Sequence, residues 1–175
     1  FFYTGHRGRR ALTLPPSCRW TGDHLELLDQ RQLPGAVAFM QLHRWQDVAE
    51  AIASMAVRGA PAIGIAAAWG VVLAARSSDD LPTAVRGLRE SRPTAVNLSW
   101  ALNRMEAAMA SSTSVDVEAL AGAAAALQDE DRRLTQRLVD HGVSLLSQGC
   151  RVLHHCHTGA IATGGVGTAL GVIAA

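Results

Sequence analysis

The chain has 175 residues, 49% of them apolar, with 16 basic and 15 acidic side chains and a formal net charge of +1. That length holds one domain, or one small domain and part of a second, and the apolar fraction excludes a disordered chain. The small net charge gives no electrostatic basis for nucleic acid as a partner. All 16 basic residues are Arg, which excludes Schiff-base chemistry on a lysine of this chain.

Residues 1–18 read as an N-terminal extension. Phe1 to Pro16 carries Arg7, Arg9 and Arg10 but lacks the apolar core and cleavage site of a signal peptide. Arg19 to Leu28 alternates around Thr21-Gly22-Asp23, a turn between two short strands, and Ala36 to Leu42 supplies a third. From Trp45 the period becomes helical, with Val48, Ile52 and Met55 on one face and Gln46, Asp47 and Glu50 on the other. A helix opening at Pro61 carries small residues throughout, which suits a central element. Its apolar run to Ala75 is too short to span a bilayer, so no membrane partner is expected. Ser77 to Pro82 breaks the pattern, and Arg92-Pro93-Thr94 precedes a second Pro-initiated helix from Ala95 to about Ala110. Ser111 to Ser114 is a short polar linker. Asp116 then caps a long helix with a stripe of Leu120, Leu127, Leu134, Leu138 and Leu145, interrupted near Gly142. Asp131, Arg132 and Arg133 read as its solvated face, and Trp45, Trp69 and Trp100 as core or interface aromatics. Arg151 to His155 forms a compact strand, followed by a Gly-rich loop and an apolar helix to Ala175. Such a β-loop-α unit begins doubly wound domains, whose ligands lie beyond the strand ends.

Residues 57–68, Val-Arg-Gly-Ala-Pro-Ala-Ile-Gly-Ile-Ala-Ala-Ala, describe a loop that turns into a helix. Pro61 suits the first helical position, and Gly59 and Ala60 leave the backbone uncovered. The free amides, the helix dipole and Arg58 together would make an anion site; a tight turn with a solvated Arg is the alternative. Arg92 stands in a similar setting, and two such Arg residues could grip two sides of one phosphate.

Cys18, Cys150 and Cys156 are an odd number without CxxC spacing, which argues against a disulfide framework and for a reducing, cytoplasmic compartment. Cys156 sits where a strand gives way to a Gly-rich loop, a place that stabilises a thiolate; a buried structural thiol is the other reading. A metal site built from His154, His155, Cys156 and His157 is disfavoured, because adjacent strand residues point apart and no second ligand cluster exists.

Taken together, Leu27-Leu28-Asp29-Gln30 with Leu33-Pro34, Met55 to Gly70, Arg92-Pro-Thr-Ala-Val-Asn-Leu and the stretch from His155 through Gly171 resemble the methylthioribose-1-phosphate isomerases of methionine salvage. The resemblance covers Trp20 to Ala175. Archaeal ribose-1,5-bisphosphate isomerases and regulatory subunits of the translation-initiation exchange factor share the family's fold but not these strings. The resemblance implies a mixed α/β chain. Residues 19–148 would form a small domain of short antiparallel strands and a helical bundle, and residues 149–175 the first β-α unit of a Rossmann-like domain. It further implies substrate contacts from Arg58, Gly59, Ala60 and Arg92 and a catalytic role for Cys156. The ligand would be a small sugar phosphate, with no cofactor and no metal, in a homodimer or beside a complementing C-terminal half. His157 stands where the family usually has Asn. Family members continue well past the point that matches Ala175, and the resemblance places their catalytic Asp there. The expectation is therefore the front half of an aldose–ketose isomerase, inactive alone, with a non-catalytic sugar-phosphate-binding or assembly module, or a ribose-1,5-bisphosphate isomerase, as the alternatives.

Overall fold

The computed structural model describes residues 16–110 and 114–175. The expected N-terminal extension thus lies outside the described residues up to position 15, and so do positions 111–113 of the polar linker. Three strands, β1 (Cys18–Trp20), β2 (Leu25–Leu28) and β3 (Phe39–Leu42), form an antiparallel sheet in the order β1-β2-β3. The Thr21-Gly22-Asp23 turn lies between β1 and β2, with Gly22 at φ 107°, a conformation glycine adopts without strain. Cys18 pairs with Leu27, and Leu28 with Phe39. One face of β2 and β3, through Leu25, Leu27 and Leu42, is buried.

Six helices follow: α1 (Trp45–Ala53), α2 (Ala60–Arg76), α3 (Leu81–Glu90), α4 (Val96–Ala110), α5 (Val117–Gly142) and α6 (Ala169–Ala174). Helix α2 is the axis of the molecule. Every residue from Ala62 to Ala75 is buried, and α1, α3, α4 and α5 all pack on it. Its small side chains permit that crowding: a Cβ on Gly64 would stand 2.8 Å from the Asn97 carbonyl oxygen of α4. Trp20 of β1 stacks on Trp69 of α2 with ring centroids 4.7 Å apart, and Trp69 Nε1 donates to Gln128 of α5 at 3.1 Å. No helix among the described residues is long and apolar enough to cross a membrane.

Four expectations need correction. Met55 does not continue the α1 stripe; it follows the helix at φ 59° and is exposed. Helix α3 takes Leu81 and Pro82 from the expected break and runs on through residues to which no element was assigned, because Asp80 accepts from Thr83 N and Pro82 sits in the first turn, where proline starts a helix. On α5 the buried stripe is Leu120, Ala124, Leu127, Thr135 and Val139, while Leu134, Leu138 and Leu145 are exposed. Residues 151–155 run without strand pairing, and Leu153 is 98% exposed. A strand is held by neighbours, and no described strand lies beside this one.

Candidate functional site

Helix α2 starts at Ala60 with Gly59 as its N-cap, so Pro61 is the second helical residue rather than the first. Gly59 adopts φ 97°, and a Cβ there would stand 2.4 Å from that of Ala162. Both facts demand glycine. No side chain caps this terminus, the positive end of a 17-residue helix, while Ala162 packs against Gly59 and Ala62 is buried.

Arg58 is exposed and Arg92 half-buried, and no carboxylate lies within ion-pair distance of either guanidinium among the described residues. Arg19, Arg31, Arg44, Arg89, Arg104 and Arg132 are each paired with an acid, whereas Arg76, Arg86, Arg133, Arg137 and Arg151 share the unpaired condition of Arg58 and Arg92 among the described residues. Arg92 lies in a turn closed by Ala95 N donating to its carbonyl at 3.0 Å. Pro93 belongs to that turn, and α4 begins only at Val96, so this proline does not open the helix as expected.

Cys156 is exposed at φ 77°, which removes the buried structural reading of its thiol. It lines an open groove of about 1400 Å³ together with His154, His157, Thr158, Gly159, Ala160 and Ile161. Cys150 is exposed on the same groove, whereas burial pushes the Cys18 thiol up to about 12. The loop after Cys156 closes on itself. Thr168 N donates to Thr158 O at 2.8 Å, and Gly159 bridges Gly167, whose φ is 94°.

The loop that carries Arg58 meets the chain at Ile161, five residues past Cys156, with no described contact between Arg58 and Cys156 themselves. Buried Gln30 donates through Nε2 to Arg58 O at 3.3 Å and to Ile161 O at 2.9 Å, and Ser17 Oγ also donates to Ile161 O. The loop of residues 58–60 therefore abuts the loop that follows Cys156. Arg92 is held less directly, through α4, whose first turn crosses α2 at Gly64. No described contact ties its guanidinium to Arg58 or Cys156.

Two positioning groups escaped the sequence reading. Gln30 looked like part of a recurring string, with nothing to show which backbone atoms it would bridge. Asp131 was assigned to a solvated face, yet Gly164 N donates to its Oδ2 at 2.6 Å, and burial raises its carboxyl pKa. The glycine pair explains the docking. A Cβ on Gly164 would stand 3.0 Å from Gln128 O, and one on Gly165 2.5 Å from Thr135 Oγ1. An Asp-Glu-Asp-Arg-Arg run carries no sign that a distant loop lies on it.

The sequence profile of the Initiation factor 2 subunit family matches residues 56–175. The methylthioribose-1-phosphate isomerase of Synechococcus sp. (strain CC9605) is 88% identical over 164 residues, covering 94% of this chain and 49% of that protein. That of Alkalilimnicola ehrlichii is 50% identical and covers 88% and 47%. Among solved structures, 5-methylthioribose 1-phosphate isomerase from Pyrococcus horikoshii OT3 superposes with a TM-score of 0.85 at 32% identity, covering 93% of this chain and 49% of that one. The delta subunit of translation initiation factor eIF-2B from A. fulgidus gives 0.76 at 36% identity, covering 90% and 49%. The chain spans about half the length of the curated relatives it matches.

Proposed function

We propose, from the premise that the chain belongs to the Initiation factor 2 subunit family, that it supplies the phosphate grip and the reactive thiol of a methylthioribose-1-phosphate isomerase. The observation that carries this reading is Gln30, which holds the uncapped start of α2 and the loop after Cys156 together through two carbonyls. The isomerase names of relatives at 88% and 50% identity support the substrate class.

The chemistry gives each part a task. In an aldose 1-phosphate the anomeric oxygen is blocked, so the ring cannot open by simple hemiacetal exchange. The protein must hold the phosphate, donate a proton as the ring opens, and move hydrogen from C2 to C1. The amides of Gly59 and Ala60 with the guanidiniums of Arg58 and Arg92 perform the first task. The Cys156 thiol is placed to exchange protons with the sugar. Residues 149–175 then enter a Rossmann-like domain, and the assembly is a cytoplasmic homodimer.

Calorimetric titration with S-methyl-5-thioribose 1-phosphate tests the grip. Arg58→Ala and Arg92→Ala should each weaken binding by about tenfold or more, the usual weight of a charge-assisted hydrogen bond. Turnover is measured after adding the C-terminal half of the Synechococcus relative, and Cys156→Ala should abolish it. Unchanged affinity in both Arg variants would end the phosphate assignment. The likeness to the A. fulgidus delta subunit favours one second reading, a non-catalytic binding or assembly module. Binding without Cys156-dependent turnover would select it.

A further inference from the structure

The turn between β1 and β2 carries a buried polar atom that the fold leaves unserved. Among the described residues, His24 Nε2 is the one buried side-chain nitrogen or oxygen without a hydrogen-bond partner. The other side of the ring is held firmly. Its Nδ1 lies 2.7 Å from Asp23 Oδ1 and 3.0 Å from Thr21 Oγ1, and Thr21 Oγ1 donates to the same carboxylate oxygen at 2.7 Å. Those hydrogen bonds hold the Asp23 carboxyl below its usual range, so it stays ionised and accepts only. The neutral ring therefore keeps its proton on Nδ1 and its lone pair on Nε2.

The next rung of the sheet adds a second imidazole. Leu25 pairs with Leu42, which sets His24 opposite His43 on the face away from that buried pair. The two rings lie with centroids 4.9 Å apart and planes tilted by 35°. His43 is exposed, so its ring has room to change rotamer.

We infer that His24 Nε2 and His43 together hold a divalent late-transition ion, zinc being the reference case, with water completing the coordination. A buried lone pair without a donor is costly, and a bound ion is one of the few groups that satisfies it. A carboxylate behind a ligating imidazole fixes the tautomer and raises its basicity, and Asp23 already stands in that position. Nitrogens about 2.0–2.1 Å from a tetrahedral zinc stand roughly 3.4 Å apart, which two rings so placed reach after a small rotation of His43. No group of three or more His, Cys, Asp or Glu suited to a metal occurs among the described residues, so two imidazoles are the protein's whole share of the coordination. Imidazole ligands select zinc, copper or nickel over magnesium and calcium, which take oxygen. The cation beside His43 in sequence, Arg44, is paired with Asp47, which tempers its repulsion of the ion. The site stands at the far end of β1 from Ser17, which meets Ile161, so the ion takes no part in the sugar chemistry. It clasps the β1–β2 turn to the chain entering α1.

Zinc titrated into the whole chain, with imidazole nitrogen NMR signals assigned residue by residue, tests the clasp. The His24 and His43 signals should move together and saturate at one ion, well below millimolar zinc. Residue-by-residue assignment separates them from the histidines of the groove that holds Cys150 and Cys156. His43→Gln, at an exposed position, should weaken zinc binding at His24 by about tenfold or more while leaving the unfolding temperature in metal-free buffer unchanged. Asp23→Ala should weaken it by about tenfold, the usual effect of removing the carboxylate behind a ligating imidazole. His24 and His43 signals that stay in place at millimolar zinc would overturn the inference and leave water as the partner of Nε2. An affinity at His24 that survives His43→Gln would overturn it as well.

Discussion

Gly59 shows how narrowly single residues hold this site. Its φ of 97° and the approach of Ala162 leave no room for a Cβ. Gly59→Ala should lower stability by about 2 kcal/mol or more, combining left-handed strain with an overlap. Thermal unfolding measures that loss, and the variant should also lose its affinity for the sugar phosphate. Asp131 offers a graded contrast. Asn keeps an oxygen for Gly164 N and should be nearly neutral, while Asp131→Ala strands that amide at about 1–2 kcal/mol. Asp29 sets an acid limit. Its buried carboxylate accepts from Arg31 and Gln32, and Arg31 in particular holds its pKa well below the usual carboxylate range. A depressed pKa in the folded state stabilises above the unfolded value of about 3.9 and loses that contribution as pH falls toward the folded value. Thermal midpoints recorded from pH 6 downward should thus fall in the native chain and fall less steeply below about pH 4 in Asp29→Asn, where Asp23, Asp47 and Asp80 still contribute. Little of this was legible in advance. Gly59 was, because a glycine before Ala-Pro at a helix start has few other uses. Gln30 and Asp131 were not, since their partners are backbone atoms at least 28 residues distant.

At the level of elements, periodicity named most of the fold and failed where a docking partner decides the outcome. The hairpin, the Val48 and Ile52 face of α1 and the Asp116 cap of α5 all follow from local chemistry. Asp116→Ala should destabilise by about 1 kcal/mol, checked by thermal unfolding, because Ala119 N would lose its acceptor. Helix α3 was hidden because Pro82 reads as a breaker, although Asp80 before it makes the same residue an initiator. The α5 stripe leaves the leucines after Leu127 and turns to Thr135 and Val139, because the Gly164–Gly165 loop and α6 cover that side. Seven-residue leucine spacing alone could not choose between those neighbouring faces. The α2–α4 crossing gives a further test. Gly64→Ala should force apart the two helix starts, since a Cβ meets Asn97 O at 2.8 Å, and should weaken sugar-phosphate binding more than it lowers the unfolding temperature.

Across the whole molecule, the helical bundle around α2 presents one rim on which the arginine loop and the cysteine loop sit side by side. Two loops far apart in sequence are fastened there by Gln30, which donates to both Arg58 O and Ile161 O, while Ser17 ties Ile161 to the start of β1. The bundle itself was foreseeable from the family resemblance; the unpaired course of residues 151–155 was not, because pairing depends on neighbours that no local pattern reveals. The exposed groove that holds both Cys150 and Cys156 supplies an internal comparison for the central claim. Alkylation by iodoacetamide, followed thiol by thiol with mass spectrometry, reads it most directly. Cys18 should stay unreacted in the folded chain, given its burial. S-methyl-5-thioribose 1-phosphate should slow modification of Cys156 severalfold and leave Cys150 nearly unchanged, and Arg58→Ala should remove that protection. Equal rates at Cys156 with and without saturating ligand would contradict a shared site for the arginine loop and this thiol.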